Sequence, residues 1–318
     1  MVARPRRGCT TGMAVSDDMS KPERYAAAVA RSGSEPSSRN ISLLHATYKS
    51  GAAAASIREE WLRRAQEPAS VEHIFAYAQD DPISQKMVIE GGFPAVETAS
   101  SGGLVTAVAN WNAAAMMATG TLLFVIADDL LPPMHWDALL WESIGCLDPC
   151  RRPFAVKVTD RDGPSPSLSK PLRMWRANLL SHPIISRAYY ERFGLFDPLF
   201  RGVYCDDDIT FRSFRYAGVV NAKHVVLSHK RGGFSGSARQ TESQERINSQ
   251  DEAMHGARVF NSLWPWYRLR PACVCLSPSV VRTGSILATT GHQFVNLALG
   301  IPFQVLFWAR DMRRRVSG

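Results

Sequence analysis

The chain has 318 residues, of which 45% are hydrophobic and 21% are charged. This composition is that of a globular protein and excludes a wholly disordered, collagenous or coiled-coil chain. The formal net charge is +8, and the excess of Arg and Lys lies at the two ends, whereas the middle is nearly neutral. A nearly neutral middle argues against a nucleic-acid-binding core, and basic ends favour contact with an anionic surface.

Shifts in composition divide the chain into three parts. Residues 1–39 are rich in Arg, Ser, Gly and Ala, and we expect a disordered arm there. Residues 40–262 alternate apolar runs with turn residues, and we expect the folded domain there. Residues 263–318 form a basic, amphipathic tail, expected to be helical, in which Pro302 interrupts an uncharged run. The pattern favours a tail that lies on an anionic membrane surface or packs on the domain over one that spans the bilayer.

The cysteines and the first residues bear on the compartment. Six cysteines are too irregularly spaced for a disulfide framework or a zinc site. The N-terminal residues lack the apolar run of a secretory signal. The sequence therefore predicts a cytoplasmic protein, and the membrane surface that the tail would meet is the inner face.

Strand and helix signals alternate along the first half of the domain. The expected strands are Ile41–Ala46, Val71–Tyr77, a short segment at Val96 and Leu122–Ala127, and the expected helices are Ala53–Gln66 and Leu104–Thr119, the latter closed by Gly120. The last strand is a continuous apolar run, which is typical of a strand buried on both faces. The alternation predicts an α/β fold, in which helices cover both faces of a doubly wound, mixed and mostly parallel sheet.

Polar residues follow these strands where ligands bind in such sheets, at the carboxyl ends. The most informative are Asp128 and Asp129, directly after the buried strand. Two adjacent carboxylates repel each other and lose solvation there, so a bound cation would stabilise them, and Mg²⁺ prefers such oxygen ligands. A solvated loop or a helix cap explains the pair without an ion, and the pair alone leaves both interpretations open.

The residues around this pair resemble the donor half of the family-two glycosyltransferases, which have the GT-A fold. The likeness is carried by the Ile41–Tyr48 strand and turn and by the stretch from Asn112 through Gly120 to Asp128, Asp129 and two prolines. Ile126 stands where the family often has the first Asp of an Asp-x-Asp motif. The nucleotide-sugar-binding residues that the resemblance implies are Thr47, Tyr48, Asp80 or Asp81, Asn112 and Asp128.

The second half of the domain is similar to the acceptor region of the same family. A Gly-x-Phe-Asp segment precedes three successive acids, an Arg follows one turn later, and Ala-Gly leads to a Val-rich strand. The family pattern implies that Asp206 is the catalytic base, with Asp207 as the runner-up because Cys205 replaces the family's usual Glu. Acids also suit the positive N-terminal end of a helix, a role that would by itself explain Asp208.

His229 follows the Val-rich strand, in a region where several members of the family have a further metal ligand. A lone His is more often structural, so this assignment rests on the resemblance. The implied ligands of a Mn²⁺ or Mg²⁺ ion are Asp129, Asp128 and His229. Lys230, beside His229, suits a diphosphate group.

The resemblance implies an inverting, metal-dependent glycosyl transfer. The donor would be a nucleotide-diphosphate sugar, with a UDP-sugar favoured, and the transferred group a hexosyl or N-acetylhexosaminyl residue. The acceptor would be a hydroxyl of a glycan or of a lipid-linked molecule.

Two other functions stay open. A nucleotidyltransferase uses similar metal chemistry, but residues 47–58 lack its Gly-rich, basic loop. A non-catalytic sugar-binding protein of the same fold stays open because Cys205 stands in place of the Glu. No nucleic-acid partner is expected, since the middle of the chain shows no interleaving of basic and aromatic residues.

Overall fold

A computed structural model describes residues 39–161, 179–230 and 242–264 of the chain. The arm expected over 1–39 and the tail expected over 263–318 lie outside these ranges, except for Arg39, Leu263 and Trp264. Within the described ranges, no helix combines the length and the apolar character needed to cross a bilayer.

Strands and helices alternate from Ile41 onwards. The strands are β1 (Ile41–Ala46), β2 (Val71–Ala78), β3 (Ala95–Thr98), β4 (Leu122–Ile126), β5 (Leu130–Leu131), β6 (Ala155–Asp160), β7 (Ile184–Ser186) and β8 (Val219–His229). The helices are α1 (Gly51–Arg64), α2 (Pro82–Gly91), α3 (Ala107–Met117), α4 (Trp136–Ile144), α5 (Arg187–Phe193), α6 (Cys205–Tyr216), α7 (Glu242–Ile247) and α8 (Gln250–Leu263).

The strands form one mixed sheet in the order β3-β2-β1-β4-β7-β6-β8-β5. The first four strands are mutually parallel, which confirms the prediction from the alternating pattern. Strand β7 runs antiparallel to both of its neighbours, whereas β6 and β8 are parallel. Strand β5 folds back as an antiparallel partner of the end of β8.

Helices cover both faces of the sheet because the central strands are apolar on both sides. In β1, Leu43 belongs to a core cluster with Trp61 of α1, whereas Leu44 belongs to a second cluster on the opposite face. The Trp61 indole donates to the Leu130 carbonyl at 2.8 Å, and Trp136 donates to the Trp61 carbonyl at 3.0 Å. These two bonds fix the loop that follows β4 against α1 and α4.

Two local features differ from the expected elements. Neither of the expected helices covers Pro82–Gly91, but α2 forms there, because Asp81 accepts from the Ser84 N–H at 3.1 Å and Pro82 suits a first helical turn. Helix α3 ends at Met117 rather than at Gly120. Gly120 is needed for another reason, since a Cβ there would lie 2.6 Å from the Ser42 backbone nitrogen.

Candidate active site

A cavity of about 420 Å³ opens at the carboxyl ends of β1 and β4. Its walls come from the turn after β1, the start of α3, the loop after β4 and the end of α7. The polar lining includes Thr47, Tyr48, Asp128, Asp129, Lys230 and Arg246. Its position at the strand ends and its volume are those of a small-molecule site.

Asp128 is held by two buried histidines that the sequence analysis did not single out. His45 of β1 lies 2.9 Å from the Asp128 carboxylate through Nε2 and 3.0 Å from Nε2 of His73 through Nδ1. Burial, and to a smaller extent the neighbouring His45 and Arg58, lowers the pKa of His73 well below its usual value, so its ring is neutral. His73 can therefore donate to His45, which in turn donates to Asp128.

Asp129 meets His229 because β5 pairs with the end of β8, with Leu130 opposite His229. The two side chains are 3.4 Å apart, between Oδ2 and Nδ1. Burial alone would raise the pKa of Asp129, but the hydrogen bond and charge of His229 outweigh it and lower that pKa. The structure thus places two of the three residues expected to bind a metal, Asp129 and His229, within 3.4 Å of each other, whereas the carboxylate of the third, Asp128, contacts His45.

The other nitrogen of His229 faces a second carboxylate. Nε2 lies 3.6 Å from Oδ1 of Asp160, and hydrogen bonds with Asp129 and then Asp160 raise the pKa of His229 to about 10. The ring of His182 lies beside it, with centroids 5.8 Å apart. Burial, together with the charge of His229, lowers the pKa of His182 to about 4. At neutral pH the pair thus comprises one charged and one neutral imidazole.

Thr47 and Tyr48 line the cavity after β1. Thr47 is 2% exposed, and its hydroxyl has no hydrogen-bond partner in the described structure. The Arg246 guanidinium lies 4.5 Å from the centre of the Tyr48 ring. A buried polar atom costs free energy unless it is paired, so the Thr47 hydroxyl marks a point where a ligand would bind.

Three other residues expected to bind the nucleotide sugar do not line this cavity. Asp81 is buried, caps α2 and accepts from the Lys49 backbone N–H at 2.7 Å. Asp80 accepts from the Ser101 hydroxyl at 2.6 Å. Asn112 holds the Phe196 backbone through two hydrogen bonds of 3.0 Å each. Asn112 therefore joins α3 to the segment that leads to α6.

The acidic cluster begins helix α6, as expected, and its three carboxylates differ in their surroundings. Asp208 is 1% exposed and binds Arg212 at 2.7 Å and the Trp264 indole at 2.8 Å. Burial raises the pKa of Asp206, which makes its carboxylate a stronger base. Neither Asp206 nor Asp207 lines the cavity.

The turn that leads into α6 borders the cavity, although the acids do not line it. A Cβ on Gly202 would lie 3.1 Å from Val105 and 3.7 Å from Ile247, and both of these residues line the cavity. The start of α6 is therefore close to the cavity wall.

Further lining residues were missed by the sequence analysis. Asn110, Trp111 and Arg246 line the cavity. None of them belongs to a recognisable motif, and the hydrophobic periodicity of helices α3 and α7 does not indicate which of their faces meets the cavity. The two histidines behind Asp128 did carry a signal, because each is the single His of a mostly apolar strand, β1 or β2.

Comparisons with known proteins give structural but no sequence matches. No family model matches the chain, and no curated protein matches it. A crystal structure of GalNAc-T7 with UDP, GalNAc and Mn²⁺ is similar with a TM-score of 0.53 and 11% identity, over 73% of this chain and 49% of that one.

Two bacterial structures are similar at lower scores. Glucosyl-3-phosphoglycerate synthase from Mycobacterium tuberculosis, in complex with Mn²⁺, UDP-glucose and glycerol 3-phosphate, has a TM-score of 0.46 and 16% identity, over 82% of this chain and 85% of that one. S. aureus TarS with UDP-GlcNAc has a TM-score of 0.45 and 12% identity, over 72% and 74%. The sheet order and the GalNAc-T7 likeness together show that the chain has the GT-A fold.

Proposed function

We propose that the protein transfers a sugar from a nucleotide-diphosphate sugar, with a UDP-sugar favoured, to a hydroxyl of an acceptor. The observation that carries this proposal is the adjacent pair Asp128 and Asp129 in a cavity that also contains Lys230 and Arg246. Carboxylates alone would repel a diphosphate, whereas carboxylates that share a divalent cation with it attract it. By analogy with other proteins of the GT-A fold, a nucleotide sugar is the natural occupant of this cavity.

Asp129, Asp128 and His229 are the proposed ligands of Mn²⁺ or Mg²⁺. Two carboxylates and an imidazole suit Mn²⁺ in particular. When bound, such an ion offsets the negative charge that develops on the departing diphosphate. His45 keeps the Asp128 carboxylate oriented toward the cavity, because its ring is itself fixed by His73.

The nucleotide is proposed to contact Thr47 and Tyr48. The unpaired Thr47 hydroxyl supplies a buried donor, and the Tyr48 ring with Arg246 supplies a flat, positively charged surface. Asp80, at the edge of the same end of the sheet, is the proposed contact for the base. Asp81 and Asn112 act indirectly, by holding the backbone around the cavity.

Asp206 is the proposed catalytic base, which accepts the proton of the acceptor hydroxyl as that hydroxyl attacks the anomeric carbon. Two observations support Asp206 over Asp208. Asp208 is fully engaged by Arg212 and Trp264, and burial raises the pKa of Asp206. Attack from the side opposite the diphosphate would invert the anomeric configuration.

The acceptor is proposed to be a glycan or a lipid-linked molecule, which the basic tail over 263–318 would meet at an anionic membrane surface. Attraction of about 1 kcal/mol per Arg near such a surface is screened by salt. The full-length protein should co-sediment with anionic vesicles at low salt and not with neutral ones. Equal recovery with both kinds of vesicle would contradict this part of the proposal.

Thermal unfolding with a panel of nucleoside diphosphates, each with Mn²⁺, Mg²⁺ or chelator, tests the donor site. A ligand at 100 times its dissociation constant stabilises the folded state by about 2.7 kcal/mol, so the correct base gives the largest increase in Tm. Asp129→Ala should abolish the part of the increase that depends on metal. If the unmutated protein binds the nucleoside diphosphate equally well with Mn²⁺ and with chelator, the metal assignment is refuted. The activity itself is then tested by measuring sugar transfer from the corresponding nucleotide sugar.

A further inference from the structure

Three metal-binding side chains meet at the same end of three neighbouring strands. Strands β7, β6 and β8 are adjacent in the sheet. Asp160 ends β6 and His229 ends β8, which are parallel, and His182 precedes β7, which is antiparallel to β6. The topology therefore collects residues that are far apart in the sequence.

A break in strand register helps to align two of these residues. Between Val158 and Thr159 the pairing with β8 shifts, so that Asp160 lies opposite Leu227, two residues before His229. Without the shift, Asp160 would lie opposite His224. Bulges of this kind re-aim side chains at the ends of strands and next to sites.

The three side chains are close enough to bind one ion. One ligand atom from each of Asp160, His182 and His229 lies within 4.8 Å of the other two. Asp160 and His229 are already 3.6 Å apart, and ligands about 2.1 Å from a common ion are about 3–3.5 Å from one another. All three side chains are partly exposed, so an ion can reach them from solvent.

We propose that Asp160, His182 and His229 form a second cation site, which binds a transition-metal ion of the Zn²⁺ or Co²⁺ type. Two imidazole nitrogens and one carboxylate are ligands that such ions prefer, whereas Mg²⁺ prefers an all-oxygen set. Three protein ligands leave a further coordination position open to water or to another ligand.

Asp129 has a matching role on the other side of His229. An imidazole that binds a metal through one nitrogen usually donates its other N–H to a carboxylate. When Nε2 of His229 binds the ion in this second site, Nδ1–H faces Asp129 Oδ2, 3.4 Å away. A neutral imidazole has a single lone pair, so His229 serves one ion at a time, and the second site competes with the Asp129 site for this ring.

The site is tested by titrating Co²⁺ into the full-length, metal-free protein without nucleotide, followed by the visible absorption of the bound ion. This measurement does not depend on the proposed transfer reaction, so either proposal can fail without the other. The expected result is one Co²⁺ site that Zn²⁺ displaces. His182→Ala should weaken Co²⁺ binding by at least about 10–100-fold, the loss seen when even a hydrogen-bonding partner of a ligand is removed.

His224→Ala is the matched control, because His224 is an exposed histidine on the same strand as His229, and it should leave the affinity unchanged. Asp160→Asn keeps the size of the side chain and should weaken binding even if His182→Ala lowers the folded yield. Unchanged Co²⁺ affinity in both site variants would overturn the proposal. A thiolate-to-cobalt absorption band would also overturn it, since that band assigns the bound ion to cysteines.

Discussion

The proposed donor half, over residues 41–126, and the proposed acceptor half, over residues 155–230, build their sides of the candidate site differently. In the donor half, parallel strands alternate with helices, so the residues that follow successive strands reach one edge of the sheet. In the acceptor half, β7 is antiparallel and the pairing of β6 with β8 shifts register. The regular alternation of strands and helices therefore allows the donor side of the site to be predicted from the sequence. The positions of residues on the acceptor side depend instead on tertiary strand pairing, which the sequence does not show.

The sharpest test of this comparison is Asp206→Asn in the acceptor half. The change keeps the size of the side chain and removes its capacity to accept a proton, so we expect kcat to fall by about 10²–10⁴-fold. Donor binding, measured by calorimetry with UDP and Mn²⁺, should be retained because the donor half is untouched. If Asp207→Asn produces the loss and Asp206→Asn does not, the assignment of the base is off by one residue.

Arg212→Leu tests the structural part of the same cluster. It would leave Asp208 charged and buried, and removal of one partner of a buried pair costs about 3–5 kcal/mol. Denaturant unfolding measures this loss. Arg63→Leu in the donor half is the control, because its helical pair with Glu60 is exposed and should contribute at most about 0.5 kcal/mol. Similar losses in both variants would contradict the distinction between the two pairs.

His45→Leu examines how the donor half positions Asp128. Loss of the hydrogen bond from the ring should weaken Mn²⁺-dependent UDP binding by about 10–100-fold, with little change in metal-independent binding. His45→Gln retains an N–H donor and should recover part of the affinity. If His45→Leu weakened UDP binding equally with and without Mn²⁺, His45 would act only on the folding of β1.

Thr47→Val addresses the hydroxyl that has no partner in the described structure. Valine has nearly the same shape, so stability should be unchanged, whereas UDP affinity should fall about 2–10-fold through loss of one hydrogen bond. Thr98→Val is the contrasting change, since that hydroxyl contacts the Asn110 side chain at 2.7 Å. Thr98→Val should lower the free energy of unfolding by about 1 kcal/mol. If Thr47→Val and Thr98→Val changed the free energy of unfolding equally, the two hydroxyls would not differ in the way described.

Much of the donor half could be predicted because its signals are local. The apolar run before Asp128 and Asp129 specifies a central strand, whereas His229 reaches Asp129 only through the tertiary pairing of β5 with β8. Helix α2 also had a local signal that was not used to predict it, the Asp81–Pro82 pair, since Asp caps a helix and Pro suits its first turn.

The remaining parts could not be predicted because nothing local encodes them. His182 meets His229 through the antiparallel strand β7, which is three residues long and too short to show periodicity, and Asp160 meets it through the shifted pairing of β6 with β8. Arg246 reaches Tyr48 from α7, a six-residue helix far away in the sequence. The different surroundings of the three acids at the start of α6 depend on Trp264, which binds Asp208. No spacing of residues in the sequence predicts this contact.

Trp264 has a consequence for the proposed membrane contact of the tail. Its indole is buried and bound to Asp208 at the first turn of α6, and Trp264 is the second residue of the basic tail. If the tail binds a membrane as proposed, the domain is attached to that membrane beside its acidic cluster. One attachment point would then set both the orientation of the domain and the direction from which a lipid-linked acceptor approaches.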